Sequence, residues 1–350
     1  MKEINDEAAQ LAKPWQKQLN EAFHSVEDLC TYLRLSLVEL PISVAATKNF
    51  PLRVPLSFAA CMEKGNPNDP LLRQVLPVSD EMRIYPGYSA DPVGDLSASQ
   101  QIGVIHKYHG RALLINTGAC AIHCRYCFRR NFPYAQLQLG KRQEQAALDY
   151  LAANTSITEV ILSGGDPLLL SDTRLTLLLA QLSALPSIKR IRLHSRLPIV
   201  LPARINDALI DGFNQCIKPI VLVVHCNHAN EINQRVISAC QRLKSSGITL
   251  LNQAVLLKGV NDQAEVLGAL SEQLFAIGIM PYYLHLLDKA TGTGHFEVSE
   301  AEALRLIQDV QDSLPGYLVP QLVREVAGAP AKQRITTPVQ ESIRNQNNDN

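Results

Sequence analysis

From Arg111 to Leu314 the chain alternates short runs of β-branched residues and leucine with longer stretches of helical period, and this alternation restricts the fold more than any other feature. Strands are expected at 112–116, 159–162, 190–193, 220–224, 249–255 and 280–284. Helices are expected near 143–153, 173–184, 206–215, 231–246, 262–277 and 299–314. Six such units belong to the α/β class and fit a parallel sheet curved into a partial (β/α)6, TIM-like barrel. A doubly wound nucleotide-binding sheet would need a glycine-rich first turn, and this chain has none there. With 46% apolar residues in 350, the core of such a barrel is easily filled.

Ahead of the alternating region, residues 1–95 read as an N-terminal helical and irregular cap. Residues 8–35 carry amphipathic spacing, and 51–92 are rich in Pro, Gly and Asp. The core is expected over 96–315 and a short C-terminal segment over 316–337, in which the apolar run 317–323 leads to Ala327-Gly328-Ala329-Pro330-Ala331-Lys332. The polar tail 338–350 is expected to be disordered. Lys+Arg and Asp+Glu both number 33, so no global field draws the chain to nucleic acid or to an anionic membrane. The N-terminus carries Glu3, Asp6 and Glu7 without an apolar stretch, which is not a secretory signal. No apolar run approaches the roughly 18 residues that cross a bilayer, and the cytoplasm is the expected compartment. In that reducing setting Cys30, Cys61, Cys216, Cys226 and Cys240 are expected to be small buried hydrophobes.

The chemically active residues gather just after the expected strand ends. Cys120, Cys124 and Cys127, in CAIHCRYC, follow the first strand, and Ser163, Gly164, Gly165 and Asp166 follow the second. His194, Ser195 and Arg196 follow the third, His225, Asn227 and His228 the fourth, and His285 and Asp288 the sixth. In a barrel these positions share the C-terminal mouth, where active sites are built. Three thiolates at this spacing hold three corners of a four-iron, four-sulfur cubane and leave the fourth iron open. His123 could complete a structural zinc site, though its neighbours crowd a tetrahedral geometry, and a disulfide goes against the expected compartment. Arg125, Arg129 and Arg130 beside the loop are expected to bind anions locally, and Gly164 and Gly165 let backbone approach a ligand closely.

The cysteine spacing resembles that of the radical S-adenosylmethionine (SAM) enzymes, which implies a [4Fe-4S] cluster on Cys120, Cys124 and Cys127 and SAM against Ser163, Gly164, Gly165 and Asp166. The combination CAIHCRYCFRR, LSGGDPL, IRLHSRLPIVLPARI, HCNHANEI and YYLHLLD is similar to the lysine 2,3-aminomutase family, from about residue 85 to residue 335. The resemblance implies pyridoxal 5′-phosphate (PLP) held by Lys332, with Lys107, Arg111 and Arg196 on its phosphate. It also implies L-lysine as substrate, with its carboxylate on Arg129 and its distal ammonium on Asp288 and Glu325. Lys107 stands where the free-lysine enzymes usually carry arginine, and Glu325 where the family has aspartate.

The reaction so implied is an isomerisation, in which hydrogen leaves carbon 3 of lysine, the amino group moves from carbon 2 to carbon 3, hydrogen returns and β-lysine forms. The compact length is similar to family members that supply (R)-β-lysine for modifying elongation factor P, which implies a cluster reductant and a β-lysine ligase as partners. A PLP-independent radical SAM enzyme acting on RNA or a peptide would have no need of Lys332 or Asp288. An iron–sulfur electron carrier would need a fourth cysteine ligand, and no well-spaced candidate is visible.

Overall fold

A computed structural model describes residues 2–137 and 139–336. One sheet runs through it in strict chain order. Its strands are β1 Ser99–Gln101, β2 Val104–Tyr108, β3 Arg111–Thr117, β4 Glu159–Gly164, β5 Arg190–Ser195, β6 Ile220–Val224, β7 Thr249–Val255, β8 Met280–His285, β9 Gln321–Arg324 and β10 Gln333–Arg334. Neighbours from β3 to β9 pair in parallel. At the edges, β1 and β2 add to β3 antiparallel and β10 adds to β9 antiparallel. β1 and β10 end the strand order unpaired with each other, so the barrel is open.

The six strands expected from sequence are β3 to β8, each within two residues at either end. Apolar runs specify most of them, because strands covered on both faces are largely hydrophobic, while β5 alternates Ile191 and Leu193 with Arg192 and His194. Leu162, Ile191, Leu193, Leu222 and Leu284 are fully buried. The edge strands were not expected as strands. β1 and β10 are wholly polar, β2 mixes Val104 and Ile105 with His106 and Lys107, and β9 takes only the end of the apolar run 317–323. Backbone pairing with β3 and β8 specifies them more than side-chain pattern does.

Between the parallel strands lie helices Lys141–Ala153, Asp172–Ala184, Asp207–Asn214, Gln234–Ser245 and Ala264–Ala276, with Glu300–Ser313 before β9. Their starts are written in the sequence. Ser171, Asn206, Asn233 and Ser299 each accept a hydrogen bond from a first-turn backbone N–H. The single amphipathic stretch expected at 8–35 is corrected to parts of three helices, Lys2–Leu11, Trp15–Asn20 and Val26–Leu33. Pro14 stands between the first two, and Ser25 caps the third through Asp28 N. Leu29, Leu33, Phe58 and Leu71 belong to the same apolar cluster as the strands, so this N-terminal region is continuous with the barrel core. Among the described residues no helix is long and apolar enough to cross a membrane.

Candidate active site

The loop after β3 carries the three cysteines, and the N-terminal region holds it from outside. Arg53 Nη1 donates to Cys120 O (3.1 Å), and His123 N donates to Arg53 O (3.0 Å). Arg125 is fully buried and donates through Nε and Nη2 to Glu81 Oε1 (2.8 Å) and Oε2 (2.5 Å), and through Nη1 to Phe50 O. Arg130 Nη2 reaches the same Glu81 Oε2 at 2.7 Å. The expectation that Arg125 and Arg130 bind anions is therefore corrected, since both guanidiniums share one buried carboxylate and spend other donors on the carbonyls of Phe50, Ala46, Arg125 and Gly292.

The zinc alternative is also disfavoured. His123 Nδ1 lies 2.8 Å from Pro51 O, and its ring stacks on Phe50. Among the described residues no three His, Cys, Asp or Glu side chains converge on a point that would hold a single ion. A cubane asks for something else, one thiolate on each of three separate irons. Burial pushes the Cys127 thiol up to about 11 and the Cys120 thiol well above its usual value, and in each case the neighbouring sulfurs add to the shift. Cys120 and Cys127 thus resist ionisation until a cationic group sits beside them, which suits an iron cluster.

Behind the loop lies the turn after β4. Gly164 has φ +112°, a left-handed conformation that favours glycine. At Gly165 an added Cβ would stand 2.1 Å from Ala119 O, the carbonyl just before Cys120. Gly165 N and Asp166 N donate to Thr117 O (2.7 Å) and Ala119 O (2.8 Å), so these glycines let two backbones lie against each other. Ser163 lies on the cavity wall beside them. Asp166 is buried, and its oxygens accept from Ser195 Oγ (2.8 Å), Arg196 N (2.8 Å) and Leu168 N (3.0 Å). That carboxylate is occupied as a brace between β4 and β5.

A cavity of about 370 Å³ opens against the cysteines and runs deep along the sheet. Period-two spacing lines it, with Arg111 and Leu113 from β3, Ile161 and Ser163 from β4, Arg192 and His194 from β5, Gln253 and Val255 from β7, and Tyr283 and His285 from β8. All fourteen site residues expected from the sequence lie on its wall, from Cys120, Cys124 and Cys127 to Lys332. Two placements differ from expectation. Arg111 opens β3 at the end opposite the cysteine loop, so the cavity spans the depth of the sheet and is not confined to the mouth. Arg196, expected on a phosphate, has its fork committed to Cys124 Sγ (2.7 Å), Gln74 Oε1 (2.6 Å) and Glu231 Oε2 (3.1 Å).

A chain of alternating charge crosses the cavity. Arg129 Nε donates to Asp95 Oδ2 (2.7 Å), whose Oδ1 lies 2.5 Å from Lys107 Nζ. Lys107 then reaches Glu325 Oε1 (3.0 Å), and Glu325 Oε2 accepts from Lys332 Nζ at 2.9 Å. Burial alone would raise the Glu325 carboxyl, but Lys332 and Lys107 hold it down to about 2. Asp288 differs, because burial pushes it up to about 7 against the pull of Lys332. His194, His225 and His285 each line this cavity with a buried Nε2 that has no protein partner. Burial holds their imidazoles neutral, with His225 down to about 3.

Residues 114–268 match the Radical SAM superfamily. Over 333 residues the chain is 50% identical to the L-lysine 2,3-aminomutase of Escherichia coli (strain K12), covering 95% of this chain and 96% of that one. It is 46% identical over 318 residues to the enzyme of that name from Haemophilus influenzae, covering 91% and 94% of the two chains. It is 32% identical over 326 residues to that of Clostridium subterminale, covering 93% and 77%. This chain belongs to the lysine 2,3-aminomutase family.

As a lysine 2,3-aminomutase family member it is an isomerase of the radical SAM class, whose cofactors are a [4Fe-4S] cluster, SAM and PLP. The site fits these groups on its own observations, with three clustered thiols at one end, a lysine at the other, and unpartnered imidazole nitrogens between them. Sequence reasoning missed two cavity residues. Asp95 sits in an irregular stretch with no periodic signal, whereas Arg192 was detectable as a charge on the same strand face as His194, alternating with the apolar Ile191 and Leu193.

The close approach at Gly165 gives a test. Gly165→Ala should displace Ala119 and the start of the cysteine loop at a cost of about 1–3 kcal/mol of stability, with loss of cluster iron and sulfide after anaerobic reconstitution. A folded variant that takes up a full complement of iron would contradict the packing described.

Proposed function

We propose that this protein converts L-lysine to β-lysine of (R) configuration in the cytoplasm, and that the product is destined for a ligase that attaches it to elongation factor P. The observation that carries this reading is the charge chain from Arg129 to Lys332, in the same cavity as the three cysteines. Cys120, Cys124 and Cys127 would hold the cluster, Ser163 and the Gly164–Gly165 backbone would face SAM, and Lys332 would hold PLP. Arg111, which has no ion-pair partner among the described residues, would meet the phosphate with Lys107 and neighbouring Arg192. When bound, these groups supply a carbon-centred radical that takes hydrogen from carbon 3 and a π system that carries the nitrogen between carbons 2 and 3.

The chain's own part is placement and charge. Asp95 fixes the Arg129 guanidinium through Nε, and the Nη side, whose one hydrogen bond among the described residues is a long 3.4 Å contact from Nη1 to Ser163 Oγ, is presented to a planar carboxylate. At the far end Glu325 and Asp288 receive the distal ammonium. Glu325 already binds two ammoniums, Lys107 through Oε1 and Lys332 through Oε2, and engagement of Lys332 by the cofactor frees Oε2 for another. The residues before 96 hold the cysteine loop in place through Arg53, Glu81 and Gln74.

The assignment is tested by incubating anaerobically reconstituted, reduced enzyme with lysine and SAM. β-Lysine is expected from the wild type and at least ~100-fold less from Lys332→Ala, the scale of loss for a covalent anchor. Inert free lysine, with turnover only on a lysine inside a protein, would refute the substrate. A pH series tests Asp288. Only the ionised carboxylate attracts an ammonium, so as pH falls through about 7 lysine binding must first remove a proton. The KM for lysine should then rise by up to about tenfold per pH unit, and Asp288→Asn should raise KM and flatten that dependence. An unchanged slope in Asp288→Asn would show that another group titrates.

A further inference from the structure

We propose that Arg196 serves the cluster and not the cofactor phosphate: its guanidinium hydrogen-bonds the Cys124 sulfur and makes reduction of the cluster easier. This rests on the reading that Cys120, Cys124 and Cys127 hold that cluster.

The geometry is specific to one sulfur. Arg196 follows β5, with its backbone N–H held by Asp166 Oδ2 at 2.8 Å. Nη1 points at Cys124 Sγ (2.7 Å), and Nη2 is shared between Gln74 Oε1 (2.6 Å) and Glu231 Oε2 (3.1 Å). The guanidinium lies against the rings of Phe58 and Tyr126, with centroids 5.2 and 5.6 Å away. Glu231 is fully buried and is itself fixed by N–H donors from Asn227 (3.0 Å) and His228 (3.1 Å). Among the described residues no other guanidinium is hydrogen-bonded to a sulfur of the three. An arginine held on both sides of its fork cannot swing to a phosphate without leaving Glu231 buried and unpaired, which is costly.

The consequence is electrostatic. On reduction the cluster gains one electron from a low-potential donor, and part of the added negative charge resides on the thiolate sulfurs. A buried cation donating an N–H to one of them stabilises the reduced state more than the oxidised state. Arg196 is a positioning residue in this account, since it acts on the substrate only through the cluster.

The test is an anaerobic redox titration, followed by electron paramagnetic resonance, of reconstituted wild type, Arg196→Lys and Arg196→Gln, with PLP uptake measured on the same samples by absorbance. Arg196→Gln should make the reduction equilibrium at least tenfold less favourable, 59 mV for a one-electron couple. Arg196→Lys keeps the charge and should shift it less, and PLP uptake should stay at the wild-type level in both. A loaded Arg196→Gln with the wild-type potential overturns the proposal, as does loss of PLP uptake with the potential unmoved. If Arg196→Gln takes up no iron, Arg196→Met, which also removes the charge, is titrated in its place, and an unmoved potential there overturns it equally. A wild type without a cluster signal removes the ligand reading itself, an outcome distinct from these.

Discussion

Alternation of charge along Arg129, Asp95, Lys107, Glu325 and Lys332 is the constraint on which the rest of the site depends. Three cations and two carboxylates in a partly dry cavity are stable only as a connected set, because any one left alone would carry a large desolvation cost. The set draws on separate parts of the chain, with Asp95 ahead of the sheet, Lys107 in β2, Arg129 in the cysteine loop, Glu325 after β9 and Lys332 before β10. Folding must therefore bring both edges of the open sheet together before the chain of charge can form. The same chain links the wall that carries the cysteines to the lysine that would carry the cofactor, so the two halves of the chemistry share one electrostatic unit.

The second constraint is the support of the cysteine loop. Glu81 bridges Arg125 and Arg130, one on either side of Cys127, and Arg53, Pro51 and Gln74 bind the loop's backbone and His123. Gly165 presses from the opposite side. A loop gripped this way keeps three sulfurs in place before any metal arrives, and preorganisation of that kind lowers the cost of assembling the site. It also fixes Cys124 against Arg196, so one interaction serves both the fold and the electronics of the cluster.

Much of this was legible in the sequence, for physical reasons that can be stated. Most of β3 to β8 carry apolar runs, and four of the six helices named with them begin at Ser or Asn caps, so local sequence marks most of both. The cysteine spacing encodes a cluster because its ligands are local in sequence. Where partners are distant, the sequence was silent. Asp95 has no motif, and its importance lies in contacts to Lys107 and Arg129 that only the folded chain provides. Arg196 is assigned to a phosphate by resemblance alone, and nothing near it in sequence reveals its contacts with Gln74, Cys124 and Glu231. Arg125 and Arg130 looked available until Glu81 was found between them.

The central claim is that one cavity couples the radical source to the lysine that is rearranged. L-Lysine carrying deuterium at carbon 3, turned over by the reduced, PLP-loaded enzyme with SAM, tests it most directly. The account predicts deuterium at the 5′ carbon of recovered SAM and at carbon 2 of β-lysine. Deuterium kept wholly at carbon 3, or lost only to solvent while β-lysine forms, would contradict it.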